Sequence, residues 1–397
     1  MTELQFLDAD AINALLTALT LKPDTIVFFY DPADISKRCA ERVVRTIRSH
    51  LPLVKTRFIR VNRLDMEDVR EKFLAEVRAV PKEEKVIADI TGGTEIMTAC
   101  FLSVCVELRI RAVYAKLPDR KLFDILTGEA IMDTAPLTLS DYLSIIGAEE
   151  RTQSRIAPEK NDFGRFKAAA EYVFRNVDVW YELYSALSRL TKHYYANVEK
   201  GKTPFSFRIE SVSSGEMRAE VAKMVDVFTE CDFLRKKDQR YFFRTKNDRE
   251  RLTTFGIWLE LYVYILASGY FDETRVGFRI DWDEADGEET SDNEIDVVAM
   301  KDSIPYFISC KLKTGGKAPT LPELYEVAYL AYRFGGDNAR AILASNASYT
   351  GEEARRTNSL YHRYEKLRVG RIDVNDLFTK SAEEIFGNAV RMTERNH

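Results

Sequence analysis

The chain has 397 residues, 45% hydrophobic and 30% charged, with a formal net charge of −5. That length exceeds one ordinary core, and the composition is soluble and globular. Disordered and fibrous classes are therefore excluded, as is a globally basic nucleic-acid binder, so any such partner must be met by local patches. Cys39, Cys100, Cys105, Cys231 and Cys310 lack CxxC spacing, and His50, His193, His362 and His397 lack HExxH or HxH spacing, which argues for reduced thiols and against a zinc or histidine-rich centre.

The opening stretch, MTELQFLDADAINALL, carries acids where a signal peptide needs bases, and no apolar run reaches membrane length. A cytoplasmic protein with no membrane partner is expected. Residues 1–145 then alternate strand and helix. TIVFFY (25–30) is a continuous apolar run suited to a strand buried on both faces. TRFIRV (56–61), KVIADI (85–90) and IRAVYAKL (110–117) are further strands, and the stretches between them have helical periodicity. This βαβαβαβ order predicts an α/β, Rossmann-like domain with a parallel sheet.

At DITGGTEIMTA (89–99) the third strand turns straight into a helix. Gly92 and Gly93 let backbone amides approach a ligand, the helix N-terminus favours anions, and Thr91 and Thr94 add hydroxyls. This is neither a P-loop nor GxGxxG. On physics alone it is a generic anion-binding turn or simply a tight capped turn.

Residues 146–250 change character. Long aromatic-rich helical stretches are followed by RKKDQRYFFRT (235–245), read as a small hairpin. A helical linker module is expected, with a winged helix as one form open to it. The aromatics Tyr241–Phe243 and His193–Tyr195, beside Lys236, Lys237 and Arg240, could stack on bases but are more simply linker packing.

Residues 251–397 resume α/β in the order α-β-β-β-α-β. NEIDVVAM and IPYFISCKL read as two antiparallel strands around a tight turn. That pairing brings Glu294 and Asp296, at the start of one, near Ser309 and Lys311, at the end of the other. Lys311 ends an apolar strand, and buried lysines are rare unless paired. Glu260 is a lone charge on the apolar helix GIWLELYVY. Carboxylates bind a hard divalent cation and a lysine steadies a phosphorane-like transition state, so the pattern fits phosphodiester hydrolysis. The acidic stretch 281–296 fails the calcium-loop pattern, since its sixth position is Asp286, and reads as a solvated loop. The aromatics of YEVAYLAYRFGG (325–336) are expected to be core against the sheet, and Arg355 and Arg356 to lie on a solvated helix face or to hold a phosphate.

NEIDVVAM…YFISCK resembles the core of the PD-(D/E)xK nuclease superfamily. Asp296 matches its strand aspartate, Lys311 its lysine and Glu260 the glutamate of the preceding helix, while Ser309 stands where the family has an acid. The resemblance implies a restriction-endonuclease-like domain using Mn²⁺ or Mg²⁺. Its catalytic set would be Glu260, Glu294, Asp296, Ser309 and Lys311, with metal held by Glu260, Glu294, Asp296 and the backbone at Cys310. DITGGTE resembles the D-x-TGGTK motif of CARF domains, the cyclic-oligoadenylate sensors of type III CRISPR systems, with Glu95 in place of the lysine. YDPADIS (30–36) resembles their other ligand-facing segment. This implies a ligand site of Tyr30, Asp31, Pro32, Ser36, Thr91, Gly92, Gly93, Thr94 and Met97.

The whole chain thus resembles CRISPR ancillary nucleases: a CARF domain (1–145), a helical linker (146–250) and a nuclease domain (251–397). The combination implies a homodimer around one cyclic oligoadenylate, expected to be cyclic tetra-adenylate, that activates metal-dependent cleavage of DNA and in some members RNA. Two rivals are a cyclic-nucleotide-sensing nucleic-acid-binding regulator with a degenerate nuclease site, and a transcriptional regulator built on a winged helix.

Overall fold

The structure, a computed structural model, describes residues 1–151, 157–197, 205–213, 215–282, 292–347 and 358–394. Strands β1 (Thr2–Leu7), β2 (Thr25–Tyr30), β3 (Lys55–Arg60), β4 (Val86–Asp89), β5 (Arg111–Lys116), β6 (Lys121–Asp124) and β7 (Ala130–Asp133) form the first sheet, in the order β3-β2-β1-β4-β5-β6-β7. The first five in that order are parallel, and the β6–β7 hairpin adds antiparallel strands at one edge. The expected Rossmann-like α/β order is present, with two additions: β6–β7 and the central strand β1.

β1 is buried along its whole length, Glu3 and Gln5 included. Leu4 and Phe6 join the core formed with Val69, Phe73 and Phe101. Leu7 joins the opposite core with Ile12 and Leu15, where Thr17 reaches Gln5. Because β1 is central, the strand order reverses between β1 and β4. In open α/β sheets ligands bind at such a switch point, outside the carboxyl ends of the strands.

Helix Leu139–Ile146 starts in a capping box of Thr138 and Asp141. Its Tyr142 donates to the Ser303 carbonyl at 3.0 Å and stacks on Phe334. β8 (Glu149–Glu150) pairs with Ile280 and Asp281. The chain around the expected domain boundary is therefore seated on the last third of the sequence.

Helices Phe163–Arg175, Val177–Asn197 and Arg218–Glu230 follow, with a small antiparallel sheet of β9 (Ser206–Phe207), β10 (Leu234–Lys237) and β11 (Arg240–Phe243) in the order β10-β11-β9. Trp180 and Phe228 from these helices pack on Trp258, at ring separations of 6.3 and 5.2 Å. That contact explains why helix Ile257–Ala267 is apolar nearly all round: the linker covers one face and the last sheet the other. Tyr241 is buried and stacked on Phe207, so it is packing, while the half-exposed Tyr195 lies under the Arg249 guanidinium.

The last sheet contains β12 (Glu273–Asp281), β13 (Asp292–Lys301), β14 (Ile304–Lys311), β15 (Arg340–Ser345) and β16 (Val369–Ile372), in the order β16-β15-β14-β13-β12-β8. β12–β13–β14 form an antiparallel meander, and β14, β15 and β16 are parallel. The expected α-β-β-β-α-β unit is present, extended by β16 and helices Val374–Thr379 and Ala382–Glu394. Most of the acidic stretch, residues 283–291, and Arg355 and Arg356 lie outside the described residues. Among the described residues no helix is long and apolar enough to cross a membrane.

Candidate active site and ligand-facing turn

The β13–β14 hairpin turns on Asp302 and Ser303, both at positive φ (53° and 69°), as a two-residue hairpin requires. The ladder runs from this turn to the Val297–Ile308 pair. Beyond it a side chain takes over: Asp296 Oδ2 accepts the Cys310 amide at 2.6 Å and the Ser309 hydroxyl at 3.2 Å. Ser309 therefore orients the aspartate instead of adding a carboxylate. The Cys310 thiol is buried and pushed well above its ordinary pKa, and what this residue gives Asp296 is its amide.

Glu260 projects from helix Ile257–Ala267 toward the same point. Burial, then the charges of Asp296 and Glu294, push its carboxyl up to about 8, and Lys311 acts in the opposite sense. Burial also raises Asp296, opposed by the Cys310 amide, Lys311 and Ser309. Asp296, Ser309 and Lys311 line one small cavity, with Glu294 at its rim. Glu294 is half-exposed and paired with Arg279 at 2.9 Å. β14 is interior to the sheet and holds Lys311 opposite Ser345 on β15. The sequence reading missed Glu326, which reaches the cavity from helix Leu321–Gly335 together with Val327 and Leu330. Its signal was the position two turns before the core residue Phe334 on the helix that follows Lys311.

Among the described residues no three His, Cys, Asp or Glu side chains form a ready metal cluster. The donors present are hard carboxylate oxygens: burial and the Asp296 charge raise Glu260, and burial and the Glu294 charge raise Asp296. That set suits a hard divalent cation whose remaining positions are filled by water, backbone and phosphate oxygens.

The glycine turn sits at the first sheet's switch point. Thr91 is committed inward: its amide and hydroxyl donate to Asp89 Oδ1, and its Oγ1 accepts the Ala115 amide. It is thus not the ligand donor it resembles in sequence. Thr94 caps the helix by accepting the Met97 amide. The Met97 side chain is buried in the core, a correction to its reading as ligand-facing. Gly93 has φ 87°, and a Cβ there would meet the Phe6 ring at 2.6 Å, so both backbone and space demand glycine. On the neighbouring loop Asp31 accepts the Ala33 and Arg63 amides, which lower its pKa, while Ser36 caps helix Lys37–His50. Tyr30 meets Phe58 edge-on, and Pro32 is exposed.

Two acids after β1 were missed in the sequence, because β1 itself was. Asp8 Oδ2 accepts the Gly93 amide at 2.6 Å, and Asp8 Oδ1 accepts the Asp10 amide at 2.9 Å. Asp10, pushed up to about 6 by burial and by Asp8, takes bonds from Asn13 and from Asn338 at 3.3 Å. Asn338 follows the end of helix Leu321–Gly335. A polar chain thus links the glycine turn to the helix that borders the carboxylate cavity.

No protein-family model and no curated protein sequence matches the chain. Solved structures do. Protein VC1899 from Vibrio cholerae superposes with a TM-score of 0.76 at 16% identity, covering 99% of this chain and 98% of its own. Can2 from Sulfobacillus thermosulfidooxidans, solved in complex with cyclic tetra-adenylate, gives 0.69 at 16% identity, with 99% of each chain covered. A type III CRISPR defence DNA nuclease activated by cyclic oligoadenylate gives 0.50 at 17% identity over 87% of this chain and 45% of that one. The fold read from the sequence resemblance is therefore the fold of the chain, end to end.

Proposed function

We propose that this protein is a metal-dependent nuclease of type III CRISPR defence, switched on by a cyclic oligoadenylate, which we take to be cyclic tetra-adenylate. The observation that carries the reading is Asp296 and Lys311 lining one small cavity, with Glu260, on the neighbouring helix, close enough that the Asp296 charge adds to burial in raising its carboxyl. The full-length likeness to a cyclic-tetra-adenylate complex and the partial one to a DNA nuclease support it.

Asp296 and Glu260 would hold a Mn²⁺ or Mg²⁺ ion, which when bound supplies charge stabilisation and a more acidic water. Ser309 and the Cys310 amide fix the Asp296 carboxylate. Lys311 offers its ammonium to charge developing on the phosphate oxygens. Glu294, tied to Arg279, shapes the rim.

At the other end the protein would work as a homodimer, each protomer offering its glycine turn to half of a symmetric ring. A ligand phosphate and the Asp8 carboxylate compete for the Gly93 amide. Ligand entry would free Asp8, shift Asp10 and Asn338, and so bias helix Leu321–Gly335, which carries Glu326, Val327 and Leu330 into the cavity.

The test is cleavage of labelled DNA and RNA in Mn²⁺ and cyclic tetra-adenylate by wild type, Asp296→Asn and Lys311→Ala. Loss of cleavage in both variants supports the reading. Identical behaviour of all three proteins favours the alternative, a sensor that binds nucleic acid without cutting it.

A further inference from the structure

Helix Leu321–Gly335 carries two apolar faces. Leu324, Val327, Leu330, Ala331 and Phe334 are buried against the sheet. Tyr325, Tyr329 and Tyr332, which the sequence reading placed in the core, are instead 43%, 60% and 64% exposed. Their i, i+4, i+7 spacing puts the three rings in one row about 10 Å long on the solvent side. Rows of large exposed side chains on a folded domain mark a binding surface.

The surroundings of the row identify its occupant. On one flank stands Glu326, which lines the cavity with Asp296 and Lys311. On the other flank Tyr332 shares a groove with Arg340 and Arg368. At the start of the row the Arg363 guanidinium donates to the Tyr325 hydroxyl at 3.2 Å. Aromatic faces interleaved with guanidinium groups are the makings of a single-strand platform: bases stack on the rings, and the cations track the phosphates. A duplex hides its base faces and cannot use such a row.

We infer that Tyr325, Tyr329 and Tyr332 form a stacking ladder that takes an unpaired nucleic-acid strand and leads it past Glu326 to the carboxylate cavity. The inference rests on the nuclease reading for the direction of the strand, but the ladder itself is tested by binding alone. Every base presents a π-face, so the ladder tolerates any sequence, and it accepts DNA and RNA alike.

The experiment uses the full chain in EDTA, so that cutting does not intervene. Fluorescently labelled 20-nucleotide single-stranded DNA, the matching RNA and the matching DNA duplex are titrated by anisotropy. Wild type is compared with Tyr329→Ala/Tyr332→Ala and with Tyr329→Phe/Tyr332→Phe. Base–aromatic stacking lost at two positions predicts a rise in Kd for both single strands on the order of 30-fold or more in the alanine variant. The phenylalanine variant keeps wild-type affinity, and duplex affinity is the same in all three proteins. These side chains are exposed, so an unchanged melting temperature is expected and separates lost binding from lost folding.

Single-strand affinity unchanged in the alanine variant overturns the ladder, as does wild type binding no single strand. Sedimentation is run alongside: an alanine variant that falls to a smaller oligomer with unaltered oligonucleotide affinity makes the row an interface between copies, and also overturns it. Ring-dependent binding in a protein that never cleaves keeps the ladder and sinks the nuclease reading. Cleavage that needs Asp296 but ignores the ring substitutions does the reverse.

Discussion

Both large sheets end in buried acids, and they treat them in opposite ways. At the switch point of the first, three carboxylates are spoken for: Asp89 holds Thr91, Asp8 holds Gly93 and Asp10, and Asp10 holds Asn13 and Asn338. At the second, Asp296 is bonded on Oδ2, while Glu260 has no hydrogen-bond partner among the described residues and feels mainly burial and like charge. Carboxylates satisfied by amides and hydroxyls shape a backbone. Carboxylates left close together without such partners keep like charge that, in the proposed reading, a hard cation would offset. The same residue types thus make a hydrogen-bonded turn at one sheet and a like-charged site at the other.

Substitutions at the second sheet should have the largest effects. Asp296→Asn should lower the cleavage rate on the order of 10³-fold, the loss of several kcal/mol of metal-assisted stabilisation. Lys311→Ala should cost roughly 10²-fold, as removal of one preorganised charge does. Single-turnover rates in saturating Mn²⁺ measure both, and an effect confined to KM would point to binding instead of chemistry.

At the first sheet the expected effects are smaller and of a different kind. Gly93→Ala combines a positive φ with a clash on Phe6. It should abolish activation by cyclic oligoadenylate, read as lost calorimetric binding, while ligand-free melting drops by the few degrees that about 1–3 kcal/mol of backbone strain produces. Asp8→Asn weakens the contact that competes with ligand. It should raise ligand-free activity by about fivefold or more, the lower end of a typical allosteric coupling. Unchanged basal cleavage in that variant would mean that the Asp8–Asp10–Asn338 chain is only structural.

An effect of a third kind is a slope with pH. Glu260 is a carboxylate whose folded pKa is raised to about 8 by burial and by Asp296. Between its ordinary value near 4.3 and that raised value the folded state binds more proton than the unfolded state, so stability without metal falls as pH rises through this window. Glu260→Gln should flatten the slope of melting temperature against pH in EDTA. Mn²⁺ should bind more tightly as pH rises, because it displaces that proton.

How far the sequence revealed these sites depended on which signal each residue carried. The Glu294–Lys311 hairpin was legible because an isolated lysine in an apolar strand and an isolated glutamate in an apolar helix each require a partner. β1 was not recognised, since Glu3 and Gln5 interrupt the apolar run expected of a strand buried on both faces; its alternating pattern did carry the half-buried strand signal. Missing β1 hid the switch point, and with it Asp8 and Asp10. The tyrosine row was misread because a helix with apolar residues on two faces looks like one broad core face until the packing partner is known. Thr91 and Met97 lie in a motif that resembles a ligand loop, yet one serves Asp89 and Ala115 and the other the core, and motif spacing does not tell a side chain which way to turn.

The most direct measurement is the single-turnover cleavage rate of labelled single-stranded DNA in Mn²⁺, with cyclic tri-, tetra- or hexa-adenylate added in turn to wild type and to Asp296→Asn. The account predicts cleavage by wild type with the tetra-adenylate ring, little without it, and none by the variant. Tight binding of a ring with no cleavage by either protein, or equal cleavage by both, would contradict it.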